Sequence, residues 1–134
     1  MELLQLVRYS EFKALIVSAS NRTGRLYRFF FASRLAKFVH RVKEDYKTQF
    51  AVLYSPQLFK PSAALNIFST LDYSSPGRVI ANLAFLAYLL DLWDSESGVR
   101  SEFAIDSLCF PSWLMLHKTQ LQSSPQNWTH FELN

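Results

Sequence analysis

The sequence predicts an all-α domain, and three observations carry that prediction. Leu and Ala together occur 31 times against 11 for Val and Ile, and unbranched side chains lose less rotamer freedom in a helix than β-branched ones. Glycine stands at only three positions, Gly24, Gly77 and Gly98. The stretch from Pro76 to Trp93 is apolar on nearly every face, the pattern of a helix at the centre of a core. The expected architecture is a compact, single-domain helical bundle around that central helix, over residues 1–134. An α-dominated α+β alternative with a short N-terminal hairpin within residues 2–31 stays open, because Ala14 to Val17 and Arg25 to Phe31 also read as short strands.

At the N-terminus, Leu3, Leu4, Val7, Glu11, Ala14, Leu15 and Ser18 recur at three- and four-residue steps, which suits a first helix. Ser20 to Gly24 reads as a turn, and Asn21 or Thr23 is placed to cap the next helix. From Arg25 to Tyr54 the spacing predicts one amphipathic, basic helix. Phe31, Leu35, Phe38, Val39, Val42 and Tyr46 form its apolar stripe, with Arg34, Lys37 and Arg41 on one flank. Ser55-Pro56 ends it, since the residue before proline avoids the helical region. Pro56 and Pro61 bracket a linker, and Leu65, Phe68 and Leu71 suggest a short helix beyond it.

Ser74-Ser75-Pro76 is a helix start: serine accepts unpaired amides at the N-cap and proline is preorganised for the first helical position. Asp94 to Gly98 reads as a polar loop. Two further helical segments are expected at Val99 to Cys109 and Pro111 to Gln122, with Pro111 at their junction. The tail from 123 to 134 keeps Trp128, Phe131 and Leu133, which suits docking onto the body.

Several function classes are excluded by what the chain lacks. The three glycines are too scattered for a phosphate loop or a dinucleotide fingerprint. Neither a Gly-x-Ser-x-Gly turn nor a His-Glu-x-x-His helix occurs. Around Gly98 the acidic residues suggest a calcium loop, yet that register puts Trp93 and Ala104 where acidic ligands are needed. Cys109 is the single cysteine, so no internal disulfide or Cys-rich zinc site can form. No metal or cofactor is therefore expected. Charges within the first twenty residues break the core of a secretory signal, and the twelve residues Val79 to Leu90 fall short of a bilayer span, so a cytoplasmic location is expected.

The most informative feature is electrical. Residues 1–60 carry a net charge of +7 and the remainder −4. Arg25, Arg28, Arg34, Lys37, Arg41, Lys43 and Lys47 are the candidate binding residues, interleaved with Tyr27, Phe29, Phe30 and Phe31. The expected function is that of a small non-enzymatic accessory, adaptor or inhibitor protein whose basic helical face meets an acidic protein partner. Nucleic acid is the alternative partner, since arginine fits phosphate and aromatic rings stack on bases. The same cations could instead pair with the acidic half of this chain or of a second copy, a possible homo-oligomer. A second alternative is a small enzyme built on Cys109 and His117.

Overall fold

The structure, a computed structural model, describes residues 6–53 and 75–122. Helices occupy 83% of the described residues, with no strand among them, so the all-α reading holds and both candidate strands are helical. The expected linker, the short helix near Leu65 and the tail from residue 123 lie outside the described residues.

The first helix, α1 (Tyr9–Ala19), buries Phe12, Leu15, Ile16 and Ala19. Next come α2 (Arg25–Phe31), α3 (Arg34–Asp45) and α4 (Lys47–Leu53). The single helix expected over this stretch is thus three. Ala32 is extended, with ψ of 150°, and Ser33 starts α3 afresh by accepting the Ala36 amide at 3.1 Å. A serine N-cap satisfies one of the orphan donors that any helix start leaves. No side chain caps α2, whose N-cap is Gly24 rather than Asn21 or Thr23.

The central helix is α5 (Pro76–Ser97), longer than expected. Ser75 accepts the Arg78 amide at 3.3 Å with Pro76 in the first turn, as the sequence indicates. Its buried residues run around the whole circumference from Val79 to Leu92, and α1, α3, α4 and α6 pack on it. Asp94 to Ser97 form its last turn and not a loop. Gly98 ends the helix with φ of +72°, the left-handed region that glycine enters without a Cβ penalty, and its amide reaches the Asp94 carbonyl at 2.9 Å.

The last helix, α6 (Glu102–Gln122), runs through Pro111 without a junction. An interior proline removes one ladder bond and costs about 3 kcal/mol. Against that, the helix buries Ala104, Ile105, Leu108, Cys109 and Leu116 on both sides of the proline, and burying a side chain of leucine size returns about 1.5–3 kcal/mol each.

Candidate functional site

Arg28 alone is buried among the seven residues of α2. Leu26, Tyr27, Phe29, Phe30 and Phe31 are all exposed, between 61% and 73%. The usual arrangement, apolar side in and charge out, is reversed. The reason lies at the end of α1, where the last carbonyls of a helix have no partner within it. The Arg28 guanidinium gathers carbonyls there and in the turn that follows: Nε donates to the Ser18 carbonyl at 2.7 Å, and Nη2 donates to that of Ser20, the C-cap, and that of Thr23 in the turn, both at 2.7 Å. A cation at a helix C-terminus is also favoured by the helix dipole. His40 of α3 adds a contact between Nδ1 and the Ala19 carbonyl at 3.0 Å, while its Nε2 faces Arg28 Nη1 at 3.3 Å. Arg28 thereby fixes α2 by its polar side and turns five apolar side chains outward.

Those side chains touch one another. Tyr27 and Phe31 lie 4.9 Å apart between ring centroids, and Phe29 meets Phe30 edge-on at 5.1 Å. The Lys37 ammonium stands 5.7 Å from the Phe29 ring centroid, within cation–π range. Between α2 and α3 opens a cleft of about 900 Å³ lined by Arg25, Leu26, Phe29, Phe30, Lys37 and Arg41, with Arg28, His40 and Glu44 completing it. Burial lowers the His40 pKa below the ordinary histidine value; the Ala19 carbonyl opposes the change and the nearby Arg28 and Lys43 charges reinforce it. Lys43 and Lys47 outweigh desolvation at Glu44 and hold its carboxyl below the usual range.

The seven predicted binding residues do not share one surface. Arg25, Lys37 and Arg41 are exposed and line the cleft, and Arg34 is exposed at the start of α3. Lys47, on α4, pairs with Glu44 at 3.5 Å. Two assignments to an exposed basic face are corrected. Arg28 is buried on the carbonyls of the α1 terminus. Lys43 is fully buried against Asp91 at 2.6 Å. Arg22 likewise meets Asp94 with two hydrogen bonds, at 2.7 and 2.8 Å, and Lys13 meets Asp106 at 3.1 Å. Part of the lopsided charge is therefore answered inside the molecule, the basic half against the acidic half.

Leu26, Phe29 and Phe30 are contributors absent from the predicted binding residues: the sequence offered Phe29 and Phe30 only as rings interleaved with the cations, and Phe31, placed in the apolar stripe, is 72% exposed. Their signal was present: Phe29, Phe30 and Phe31 are consecutive and cannot all lie on one face of a helix. His40, which carries no role in the sequence reading, is half-buried and hydrogen-bonded.

The Cys109 and His117 pair does not assemble. Eight residues apart on one helix, they are separated by roughly 12 Å along its axis. Cys109 is buried and its thiol is pushed up to about 12 by desolvation, while His117 stacks on Trp113 at 5.2 Å. Among the described residues no group of three or more His, Cys, Asp or Glu is placed to hold a metal ion. No described helix is long and apolar enough to cross a membrane.

An all-helical bundle that turns an aromatic and basic surface outward has the build of an accessory protein that works through its surface. Residues 1–123 match the family described as Adenovirus E1B 19K protein / small t-antigen, and the chain belongs to that family of viral accessory proteins. It is 33% identical over 140 residues to the E1B protein, small T-antigen, of Human adenovirus F serotype 41, covering 94% of this chain and 81% of that protein. Its identity to the same protein of Human adenovirus E serotype 4 is 34% over 125 residues, covering 84% of this chain and 86% of the other. With the counterpart from Human adenovirus C serotype 2 it is 34% over 127 residues, covering 84% and 71%. No solved structure matches the chain.

Proposed function

We propose that the protein acts by binding a partner protein of the host cell at the surface of α2 and α3, in the cytoplasm. The occupant is a segment that sets apolar side chains against Leu26, Phe29 and Phe30 and acidic ones against Arg25, Lys37 and Arg41. The observation that carries this reading is the reversal of α2, which buries Arg28 and exposes five large apolar side chains. Exposed apolar surface on that scale marks interaction sites, and aromatic and arginine residues are the types enriched in protein interfaces. Charge supplies the choice of partner, since a basic rim attracts acidic sequences and repels basic ones. Nucleic acid is favoured less, because Arg28 and Lys43, two of the seven cations offered for phosphate, are used inside the protein.

Selection of a random peptide library on the full chain tests this. Peptides combining apolar and acidic residues should be enriched, and they should bind a Phe29→Ser, Phe30→Ser variant at least about tenfold more weakly, a loss of about 1.4 kcal/mol. Enrichment indifferent to those two substitutions would place the binding surface elsewhere. Preferential binding of the unmodified chain to RNA or to anionic vesicles would replace a protein partner with one of those.

A further inference from the structure

Little apolar burial fastens α2 to the body, since Arg28 is its one buried residue and the five large apolar side chains beside it are exposed. Apart from the Lys37 ammonium over the Phe29 ring, its attachment is a set of hydrogen bonds that converge on one guanidinium, and one member of the set, His40, carries an imidazole, the side chain whose ordinary charge change falls between about pH 5 and 8. The tautomer is set by the partners. Arg28 can only donate, so Nε2, at 3.3 Å from Nη1, must offer its lone pair; the ring proton then sits on Nδ1 and is donated to the Ala19 carbonyl at 3.0 Å. A second proton on the ring consumes that lone pair and sets an N–H against an N–H, cation against cation. We propose that His40 and Arg28 form a proton-sensitive latch, so that taking up one proton from solvent at His40 Nε2 frees α2 and dismantles the aromatic and basic surface.

The surroundings leave the new charge poorly answered. Arg28 faces the ring from α2, and Lys43 lies on the same helix as His40. Glu44, also on α3, is a carboxylate whose charge favours the protonated ring, and it is shared with Lys43 and Lys47. From α5 comes Asp91, already bound by Lys43 at 2.6 Å. From α1 comes the Ala19 carbonyl, which accepts a proton donor in either state of the ring. Arg25, Lys37 and Arg41 line the same cleft and add three further positive charges. Burial, together with Arg28 and Lys43, holds the ring neutral, so release begins below the ordinary histidine pKa of about 6.5. The sign is fixed by linkage: the released and unfolded forms bind the proton more readily, so the latched form is at full strength above that value and weakens as pH falls through the folded pKa, by up to about tenfold per pH unit.

The consequence for partner binding rests on the function proposed above, whereas the latch itself is tested on the free protein. Amide hydrogen exchange of the full chain, corrected for intrinsic rates, is compared at about pH 7.5 and about pH 5, on either side of the ordinary histidine range. Exchange across Arg25–Phe31 should accelerate at the lower pH while α5 stays protected. His40→Gln offers Arg28 an acceptor that does not titrate and should remove the step; His40→Lys, charged at both values, should leave α2 open at both. If either variant fails to fold, the ring's own titration followed by NMR in the unaltered protein replaces it, and its midpoint should coincide with the exchange step. An α2 whose exchange ignores pH, a step that persists in His40→Gln, a midpoint that differs, or loss of protection in α5 together with α2 would each overturn the latch. Failure of peptide binding at neutral pH would leave the exchange result standing, so the two readings fail separately.

Discussion

Lys43 of α3 and Asp91 of α5 meet at 2.6 Å, with 0% of the lysine side chain and 12% of the aspartate side chain exposed. Asn21 joins them: its Oδ1 accepts from Lys43 Nζ at 3.1 Å, and its backbone amide donates to Asp91 Oδ1 at 2.7 Å. The α1–α2 turn, α3 and α5 are tied at one buried point, just below the basic surface. Removing one partner of a buried pair leaves the other charged and unanswered, which costs about 3–5 kcal/mol, whereas replacing both with apolar residues often costs little. Lys43→Ala should therefore lower the urea midpoint sharply, and Lys43→Met with Asp91→Leu should recover much of the loss. An unmoved midpoint in Lys43→Ala would show that the pair does not hold α3 to α5.

The core prediction concerns α5, where Leu86 and Leu89 are fully buried. Replacing either by alanine removes burial and leaves a cavity, a combined cost of about 2–5 kcal/mol. Denaturant titration of the two variants checks it. Equal midpoints for variant and parent would mean that α5 is not the centre of the bundle.

Cys109 should be chemically silent in the folded protein. Its thiol is buried and pushed up to about 12 by desolvation, so almost no thiolate, the reactive form, exists at neutral pH. Reaction with an aromatic disulfide reagent should wait for unfolding and track its rate as denaturant is raised. Rapid labelling of the native protein would return the thiol to the set of functional groups.

What the sequence made legible divides along physical lines. The central helix and its Ser75-Pro76 start could be read because an all-round apolar pattern and a capping pair are local signals, complete within a few residues. The division of residues 25–53 into three helices could not, because Ser33 resembles any polar residue on a helix until the Ala36 amide is seen to bond it. Arg28 and Lys43 were read as surface cations because a charge is presumed solvated unless its partners are known. Those partners lie on other elements: Asp91 is 48 residues from Lys43. Once Arg28 is committed to the end of α1, the aromatics of α2 must turn outward, and no periodicity within α2 announces that commitment.

The surface of α3 permits a prediction that separates charge for binding from charge for folding. Arg34, Lys37 and Arg41 are exposed, and their helix packs on α5 and α1 through Leu35, Ala36 and Val39 on its other side. Exposed substitutions away from caps and buried networks usually change stability by about 0.5 kcal/mol or less each, so changing all three to glutamate should leave helix content and cooperative unfolding nearly intact. A glutamate in place of Arg34, in the first turn of α3, is even favoured by the helix dipole. Near Glu44, a glutamate in place of Arg41 costs some repulsion, since residues three apart are neighbours on a helix. Binding is where the loss should fall. With an acidic protein segment as partner, affinity should collapse in the triple variant and depend only mildly on salt in the parent. With nucleic acid, affinity in the parent should instead fall steeply with salt, and neutralising one phosphate contact should lower the log–log slope by roughly one. A triple variant that unfolds would show these cations to be bound up in the fold. One that folds and keeps its partners would leave the exposed aromatics of α2 as the functional surface and the α3 charges as solvation.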